Sequence, residues 1–575
     1  MRKLFLLLLI APFIVISPTG GEAARPPDVP TTVTDGQLDQ HLSNPLVVRV
    51  QKALAKAGYY KGSIDGIAGP ITIDAIETYQ KRENQSVDGI VSAELAIHIE
   101  TSVKVRSLLD QLHEKRLANI SAARKALMAQ PETRDILTGN KSEAAQASRD
   151  PSECFRMPNP ECLLTEAVES AKAIHKREHR DWAFGEILSA QAKAGLVKAA
   201  IGSVRLIGDA RLIMVALRDI AEAQAETGRP AEALAAADII PDAIKQSEAL
   251  AAIAAIQVEG RDLDGAAATA GRILDGLADI DDPLRRLALR LRAVVILSKA
   301  DKQPEAEAEL KKARAFAEAN SGDNRAVALR HVAGALADMG LPDAALEIIK
   351  DLSEASEQTP VLVSAAKAQA KAGDLKHAVS TAEAIQAVRY RAVVLARIAI
   401  AQVEADEIEE AHETVLKAIE SSEQIKLPYA RAYAHDRIAA ALTEIGEAGD
   451  ADAFETAIEL AGGIVDDKLR SHRLWSIAAA QRRAGDGPGS DDTETLAERA
   501  TGEVKSALTR AWMFTDLALE HLDEGNATAA WASFHRALGI TADITNPWAR
   551  ARALAHLASS HVDLSDAIKP VAGKQ

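Results

Sequence analysis

A helix that ends in glutamine, with glycine four residues later, recurs through most of this chain. The clearest pairs are Gln191 with Gly195, Gln224 with Gly228, Gln369 with Gly373, and Gln481 with Gly485; Gln257 has Gly260, and Gln402 has Asp406. The steps 191 to 224, 224 to 257 and 369 to 402 are each 33 residues, whereas other units are longer. Self-similarity at such a period predicts a repeat architecture, in which each unit packs only on its neighbours.

Each repeat is predicted to be a helical hairpin. The first helix carries apolar residues at helical spacing, as in Leu250, Ile253 and Ala254 before Gln257, and glycine after it is a helix C-cap signal. An alanine follows five residues after the glycine, as at Ala233 and Ala378, where two helix backbones would come closest. One hairpin cannot cover its own apolar stripe, so about ten hairpins are expected to stack into an α-solenoid over residues 162–562.

These features resemble the tetratricopeptide family, although Ala, Ile or Leu fill most of its typical aromatic positions. The resemblance implies that the concave face binds an extended peptide or a partner domain. Candidate arginines for polar contacts there are Arg211, Arg218, Arg391, Arg397, Arg431 and Arg437, and the alternative for each is an ordinary solvated or ion-paired side chain.

The N-terminus is typical of a cleavable secretory signal peptide, assigned to residues 1–23. Arg2 and Lys3 precede an apolar run over 4–16, and Gly21-Glu22-Ala23 offers small residues for cleavage. The run is short for a membrane span, and an uncleaved signal anchor is the alternative. We therefore expect a periplasmic protein with no membrane contact beyond this segment, followed by a Pro- and Thr-rich linker over 24–43.

Residues 44–100 are predicted to form a compact helical domain. The residues that define it are Val50, Gln51, Leu54, Gly58, Tyr59, Tyr60, Gly62, Asp65, Gly66, Ile67, Gly69, Pro70, Thr72, Ala75, Ile76, Tyr79, Gln80, Asp88 and Gly89. In order and spacing they resemble the peptidoglycan-binding domain of cell-wall hydrolases and transpeptidases. The resemblance implies three helices and peptidoglycan as a partner, although the last helix opens with Ser92 where the family usually has threonine.

Five residues of this domain are candidates for peptidoglycan contact: Tyr59, Tyr60, Asp65, Thr72 and Gln80. A loop tyrosine offers an apolar face to a sugar and a hydroxyl to a polar group, and one of the two tyrosines is expected to pack in the core. Asp65-Gly66 and Asp88-Gly89 have the chemistry of tight turns, because aspartate bonds the following amides and glycine accepts positive φ. Thr72 is an N-cap candidate, and Gln80 is expected to bond the backbone.

A helix and a loop-rich connector are predicted over 101–161, and a C-terminal tail over 563–575. The connector contains both cysteines of the chain, Cys154 and Cys162, in a proline-rich stretch. Export would place them in an oxidising compartment, where a local disulfide is expected. Two thiols alone do not complete a zinc site.

The search for catalytic or cofactor chemistry gives no positive indication. His175, Glu178 and His179 match the H-x-x-E-H pattern of inverted zinc proteases, but the repeat frame places the two histidines across a loop and a helix start. We therefore expect no metal, no cofactor and no catalytic residue. The glycine-rich run at 485–490 is predicted to be a flexible loop. A formal net charge of −16 argues against nucleic acid as a partner.

The sequence thus predicts an all-α protein, with a small three-helix domain followed by an α-solenoid. The leading functional hypothesis is a periplasmic, non-catalytic adaptor that binds peptidoglycan and recruits an envelope protein through its repeats. The alternative is a regulatory subunit of a cell-wall hydrolase or synthase, in which the small domain contacts the enzyme instead of the wall. A cryptic enzymatic site in the array is the third hypothesis.

Overall fold

The computed structural model describes residues 32–33, 43–138, 144–146 and 149–568, in two compact units, residues 1–122 and 123–575. The predicted signal peptide lies outside the described residues. The N-terminal unit contains β1 (Thr32–Val33), α1 (Pro45–Lys56), α2 (Pro70–Arg82), β2 (Val91–Ser92) and the start of α3 (Ala93–Ala129). The three predicted helices are present, and the strands add a short antiparallel pair in which Thr32 lies opposite Ser92.

The core of the N-terminal unit forms where the apolar faces of its helices meet. Proline at the first turn and the Asn44 side chain, which accepts a hydrogen bond from the Leu46 amide, start α1. Val47, Val50 and Leu54 of α1 are buried together with Ile76 and Tyr79 of α2 and Ile99 of α3. The sequence predicted a short third helix followed by a separate one from about residue 101, whereas α3 runs without interruption to Ala129.

The second unit is a row of helical hairpins preceded by short helices. The leading helices are α4 (Pro131–Thr138), α5 (Ser152–Arg156) and α6 (Pro160–Lys172). The first helices of the hairpins are α7 (Arg177–Lys193), α9 (Ala210–Glu226), α11 (Ala243–Glu259), α13 (Pro283–Lys299), α15 (Gly322–Asp338), α17 (Ala355–Lys371), α19 (Val388–Glu404), α21 (Pro428–Glu447), α23 (Asp467–Arg483), α25 (Ala507–Asp523) and α27 (Pro547–Ile568).

The second helices follow in the same order. They are α8 (Val197–Val204), α10 (Pro230–Asp238), α12 (Leu263–Gly276), α14 (Gln303–Ala319), α16 (Pro342–Glu347), α18 (Leu375–Glu383), α20 (Ile408–Glu423), α22 (Ala451–Gly462), α24 (Gly487–Glu503) and α26 (Ala527–Ala542). Single 3-10 turns, Leu277–Asp279 and Ile348–Asp351, extend α12 and α16. The predicted all-α repeat array is confirmed, but the glycine-rich run that was predicted as a loop begins helix α24, because Asp486 caps it and Pro488 fits its first turn.

The array closes on itself into a ring. Each first helix packs against the first helix of the next hairpin, from α7 and α9 through to α25 and α27, and α27 packs in turn against α7. The helix α6, which precedes α7 in sequence, lies against α27 as the second helix of an eleventh hairpin. One continuous apolar core accordingly joins buried residues of 123–361 to buried residues of 513–564.

The first helices form the inner layer of this ring. Successive first helices pack against one another all the way round, whereas successive second helices make no comparable contacts. In a closed ring the layer with the smaller circumference has the closer neighbours, so the second helices lie outside. The solvent-accessible face of the first helices therefore forms the inner wall.

The turn inside each complete hairpin has a fixed backbone conformation. The residue two positions after each first helix has positive φ in all ten turns: Gly195, Gly228, Arg261, Asp301, Gly340, Gly373, Asp406, Gly449, Gly485 and Gly525. Sequence spacing assigned the turn after Gln257 to Gly260, but Arg261 takes the left-handed conformation there, at φ 65°. Backbone bonds explain the position, since the next amide returns to the glutamine carbonyl, as from Asp262 to Gln257 at 2.8 Å.

The alanine after the turn, where the sequence predicts close contact of the two helices, is buried. Ala233 and Ala378 have no accessible surface. Phe454 holds the equivalent position in α22, and Gly446 of α21 makes room for it, because a Cβ at Gly446 would lie 2.8 Å from the Phe454 ring. A larger residue on one helix is thus matched by a smaller one on its partner.

The closure joint contains an arginine stacked between two tryptophans. The Arg552 guanidinium of α27 lies 4.4 Å from the Trp512 ring centroid and 4.6 Å from that of Trp548. Its Nε and Nη2 donate to the Glu186 carboxylate of α7 at 2.6 to 3.0 Å. A second ion pair across the joint links Lys193 to Asp563 at 2.7 Å.

Ring closure predicts energetic coupling between Glu186 and Arg552, which are far apart in sequence. In a double-mutant cycle with Glu186→Gln and Arg552→Met, we expect a coupling energy of about 0.5 to 3 kcal/mol, measured by chemical denaturation. The matched control is Glu498 with Arg536, which also stacks on two aromatic rings but joins neighbouring repeats. Coupling in the control pair but none between Glu186 and Arg552 would mean that the array is open in solution.

Candidate functional site

A buried glutamine organises the loop that follows α1 in the small domain. Gln51 has no accessible surface, and its Nε2 donates to Tyr60 Oη at 3.1 Å, Asp65 Oδ1 at 2.9 Å and Thr72 Oγ1 at 3.1 Å. Its Oε1 accepts from the Gly66 amide at 2.9 Å. Three of the five candidate ligand residues therefore meet around Gln51, which belongs to the family pattern but was not among the five candidates.

The same device occurs a second time at the turn after α2. Gln80 Nε2 donates to Asp88 Oδ1 at 2.7 Å, and Gln80 Oε1 accepts from the amides of Asp88 and Gly89 at 3.1 Å. Both aspartates accept a bond from the amide two residues later, and the neighbouring glutamine is the other donor. The hydrogen bond from Gln51 and the Ile67 amide lower the pKa of Asp65, so this carboxylate is ionised at neutral pH.

The two tyrosines have different environments. Tyr60 is buried, and its hydroxyl donates to the Ser63 carbonyl at 2.7 Å. Tyr59 is half-buried, and its ring meets Tyr79 edge to face with centroids 5.4 Å apart. The Tyr59 hydroxyl has no hydrogen-bond partner among the described residues.

The accessible part of the loop is apolar around one carboxylate. Ile64, Ile67 and Ile71 are 46%, 43% and 66% exposed, and Asp65 is exposed between them in sequence. Both hydrogen bonds to Asp65 that involve its carboxylate use Oδ1. Tyr60 and Thr72 are buried and support this loop from beneath, whereas the buried Gln80 supports the turn after α2. Ile64 and Ile71 are surface residues outside the family pattern, and Ile67 is a surface residue within it.

The inner wall of the ring is the second extended surface of the protein. We number positions along each first helix from its first residue, so that position 10 is Glu186 in α7 and Asp219 in α9. Position 17 is charged in all eleven helices: Lys193, Glu226, Glu259, Lys299, Asp338, Lys371, Glu404, Glu444, Arg483, Asp523 and Asp563. Since positions 6, 10, 13 and 17 share one helical face, charge recurs at a fixed height round the wall.

Ion pairs join successive first helices on one side of the ring. Asp436 of α21 is fully buried and accepts from Arg473 Nε of α23 at 3.1 Å. Asp516 of α25 binds Lys468 Nζ at 2.9 Å and His556 Nε2 of α27 at 3.2 Å. Burial would raise the pKa of Asp516, but these two partners outweigh it and lower the pKa to about 2.

Most of the arginines proposed as groove contacts have other partners. Arg391 and Arg431 donate to the backbone carbonyls of Ile385 and Ile425, in the loops before their own helices. Three others pair with acids: Arg211 with Asp209, Arg218 with Asp219 and Glu248, and Arg437 with Asp436. Arg397 is exposed and forms no ion pair with another described residue.

The H-x-x-E-H histidines do not form a zinc motif. His175 lies in the turn before α7, and His179 lies inside this helix, as the repeat frame predicted. Across the described ranges, three or more His, Cys, Asp or Glu side chains nowhere group in a way that could hold a metal ion. Cys154 and Cys162 form a disulfide that joins α5 to α6, with Cα atoms 5.7 Å apart. In the described part of the chain, every helix is too short or too polar to cross a bilayer.

Comparison with known proteins identifies the small domain. Residues 43–96 match the family described as "Putative peptidoglycan binding domain". No curated protein matches the chain. Among solved structures, Ton1535 from Thermococcus onnurineus NA1 is similar at 16% identity and a TM-score of 0.26, over 56% of this chain and 98% of that one. A circular tandem repeat protein with novel repeat topology and enhanced subunit contact surfaces is similar at 11% identity and a TM-score of 0.15, over 91% and 96%.

Replacing the buried Gln51 should loosen the loop that it supports. Gln51→Ala removes bonds to Tyr60, Asp65, Thr72 and the Gly66 amide, and we expect a cost of about 2 to 4 kcal/mol to this domain. Faster hydrogen exchange in residues 59–73 of the full chain would report it. The exposed neighbour provides the control, since Lys52→Ala should leave exchange unchanged; equal exchange in both variants would contradict the role of Gln51.

The pKa of Asp516 predicts a pH-dependent contribution to ring stability. A carboxylate whose pKa is lowered on folding stabilises the folded state above its unfolded pKa, and this contribution is lost as pH falls through the folded value. Wild type should therefore exceed Asp516→Asn in denaturation midpoint at pH 7, and the difference should shrink between about pH 4 and 2. A difference that is constant over this range would show that the charge of Asp516 does not stabilise the ring.

Proposed function

We propose that this chain is a non-catalytic, exported scaffold that binds peptidoglycan through its small domain and a partner protein through its ring. The observation that carries the proposal is the family match over residues 43–96. This family match agrees with the residues of the sequence pattern, several of which form the hydrogen-bonded loop around Gln51. Periplasmic location is supported by the N-terminal apolar run and by the Cys154–Cys162 disulfide, since disulfides persist in oxidising compartments.

We assign the wall-binding surface to the exposed residues of this loop and of the first turn of α2. Ile64, Ile67 and Ile71 provide apolar contact for the sugar rings and methyl groups of a glycan, and the ionised Asp65 can accept hydrogen bonds from its hydroxyl and amide groups. The half-buried Tyr59, whose ring packs edge to face on Tyr79, is a further candidate contact of the same domain. Tyr60 and Thr72 act indirectly in this proposal, because they hold the loop in place through Gln51, and Gln80 acts indirectly by holding the turn after α2.

The ring supports the scaffold role by its construction. Eleven first helices present a wall of regularly spaced side chains, which is typical of repeat proteins that bind elongated partners. The buried polar groups around Asp436 and Asp516 join neighbouring helices to each other, as stabilising ion pairs do. The partner expected there is an envelope protein.

Co-sedimentation with purified peptidoglycan sacculi tests the wall-binding assignment. We expect the mature chain to pellet and a chain that starts at residue 101 to remain in the supernatant. Within the full chain, Ile64→Ser with Ile71→Ser should weaken pelleting about tenfold, because two exposed apolar contacts of about 0.7 kcal/mol each are lost. Ile97→Ser, at an isoleucine of similar exposure on α3, is the matched control.

Three results would contradict the assignment. Pelleting of the chain that starts at 101 would place wall binding in the ring, and equal loss in the loop and control variants would remove it from the loop. Co-purification of a cell-wall hydrolase or synthase with a full chain that does not pellet would favour the regulatory subunit.

A further inference from the structure

The inner wall of the ring has an arc of basic side chains that form no ion pair with another described residue. Arg292 of α13, His331 of α15 and Arg397 of α19 all hold position 10 of their helices, and all three are exposed. Lys367 of α17 is exposed one helical turn further on, at position 13. Along the described ranges, none of these four side chains forms an ion pair within hydrogen-bonding reach.

The basic side chains of this arc are close enough to influence one another. Partial desolvation by the surrounding helices and the charges of Arg330 and Arg292 lower the pKa of His331, so its imidazole is largely uncharged at neutral pH and is a hydrogen-bonding group of the arc, not a permanent cation. Burial and Arg397 likewise lower the pKa of Lys367, against the attraction of Asp338. A basic side chain whose pKa is lowered by a nearby arginine carries its proton at a cost in free energy, and an anionic ligand would offset that cost.

The arc differs from the rest of the wall. Position 10 is acidic in α7, α9 and α25, at Glu186, Asp219 and Asp516. Burial and two neighbouring carboxylates raise the pKa of Glu222 in α9, so negative charge is in excess there. An acidic ligand is therefore repelled by the chain as a whole, whose net charge is −16, and is attracted to α13–α19.

An apolar stripe runs beside the cations. Position 6 lies one turn before position 10 on the same face, and it is Val327 in α15, Pro360 in α17 and Val393 in α19. At the end of the arc, position 6 of α21 is Tyr433, which is 41% exposed. A ligand that lies along the wall would meet a basic stripe on one side and an apolar stripe on the other.

We propose that the inner face of α13, α15, α17 and α19 is the docking surface for an extended acidic segment of a partner protein. This inference rests on the proposed function, because it locates the partner site of the scaffold on the ring. Packed helices are about 8 to 10 Å apart, and an extended chain rises about 3.3 Å per residue, so every third residue of the ligand would reach the next helix. Acidic residues at that spacing would meet Arg292, Lys367 and Arg397 and could accept a hydrogen bond from His331. Intervening apolar side chains would contact the position 6 stripe, which a plain polyanion would leave unused.

The test uses the full chain and a labelled glutamate oligomer of about 12 residues, which is long enough to span the four helices. Fluorescence anisotropy at low salt should show binding that weakens as salt is raised, because exposed charges are screened. Arg292→Glu with Arg397→Glu should weaken binding at least tenfold. The control is Lys311→Glu with Arg314→Glu, which makes the same change in charge on the exposed face of the outer helix α14 and should leave binding unchanged.

Three outcomes would overturn the proposal: no binding to the wild-type chain at low salt, equal weakening by the two double variants, or tighter arc-dependent binding of an oligouronate with the same number of charges. The last would assign the arc to carbohydrate. Sacculus pelleting of the same variants separates this inference from wall binding. Loss of oligomer binding with normal pelleting supports the arc, and oligomer binding by a chain that does not pellet would refute only wall anchoring.

Discussion

Closure of the ring through α6 and α27 is the contact on which the array depends. Hairpin repeats leave an apolar face at each end of a row, and open arrays cover it with polar capping repeats. Here the two ends cover each other, because α6 supplies the second helix that α27 lacks and α27 packs on α7. The arginine between Trp512 and Trp548 fixes this joint with directional bonds to Glu186, and the disulfide ties α5 to the closing helix α6. Every hairpin therefore has two neighbours, and no repeat is terminal.

Closure also determines which residues meet solvent and a ligand. Because the first helices form the inner layer, one face of each helix is directed away from both its own hairpin partner and its neighbours, and charge is tolerated there without burial in a core. The same helix positions recur at the same height on the inner wall in every repeat. Similar residues at one position in neighbouring repeats therefore form a continuous arc. Ion pairs such as Asp516 with Lys468 neutralise one side of the wall, whereas Arg292 and Arg397 remain without such partners among the described residues on the other.

The hairpins could be predicted from sequence because their signals are local. The glutamine, the turn and the buried alanine all lie within about ten residues, and each reflects a backbone requirement. Closure could not be predicted in this way, because the two halves of the eleventh hairpin stand at opposite ends of the array. Local signals also gave wrong predictions where a residue adopts a backbone conformation that its type disfavours. Arg261 has positive φ although Gly260 precedes it, and Gly487 begins a helix because Asp486 caps it. The continuity of α3 was not predicted, because the sequence from Ile99 to Thr101 contains no local signal that would end or extend a helix.

The small domain shows the same limit at its candidate site. The family pattern identifies residues that recur, and in this domain those residues are largely the ones that make the turns. Gln51 and Gln80 each satisfy an aspartate and the amides of an Asp-Gly turn, so their polar groups are already occupied within the protein. A side chain whose donors and acceptors are already bonded within the loop has few left to bind a ligand. In the proposed wall binding, the contacts would therefore come from the exposed isoleucines at 64, 67 and 71 and from Oδ2 of Asp65. In the proposed site, most pattern residues would thus position the surface, whereas the contacts would include residues outside the pattern, Ile64 and Ile71.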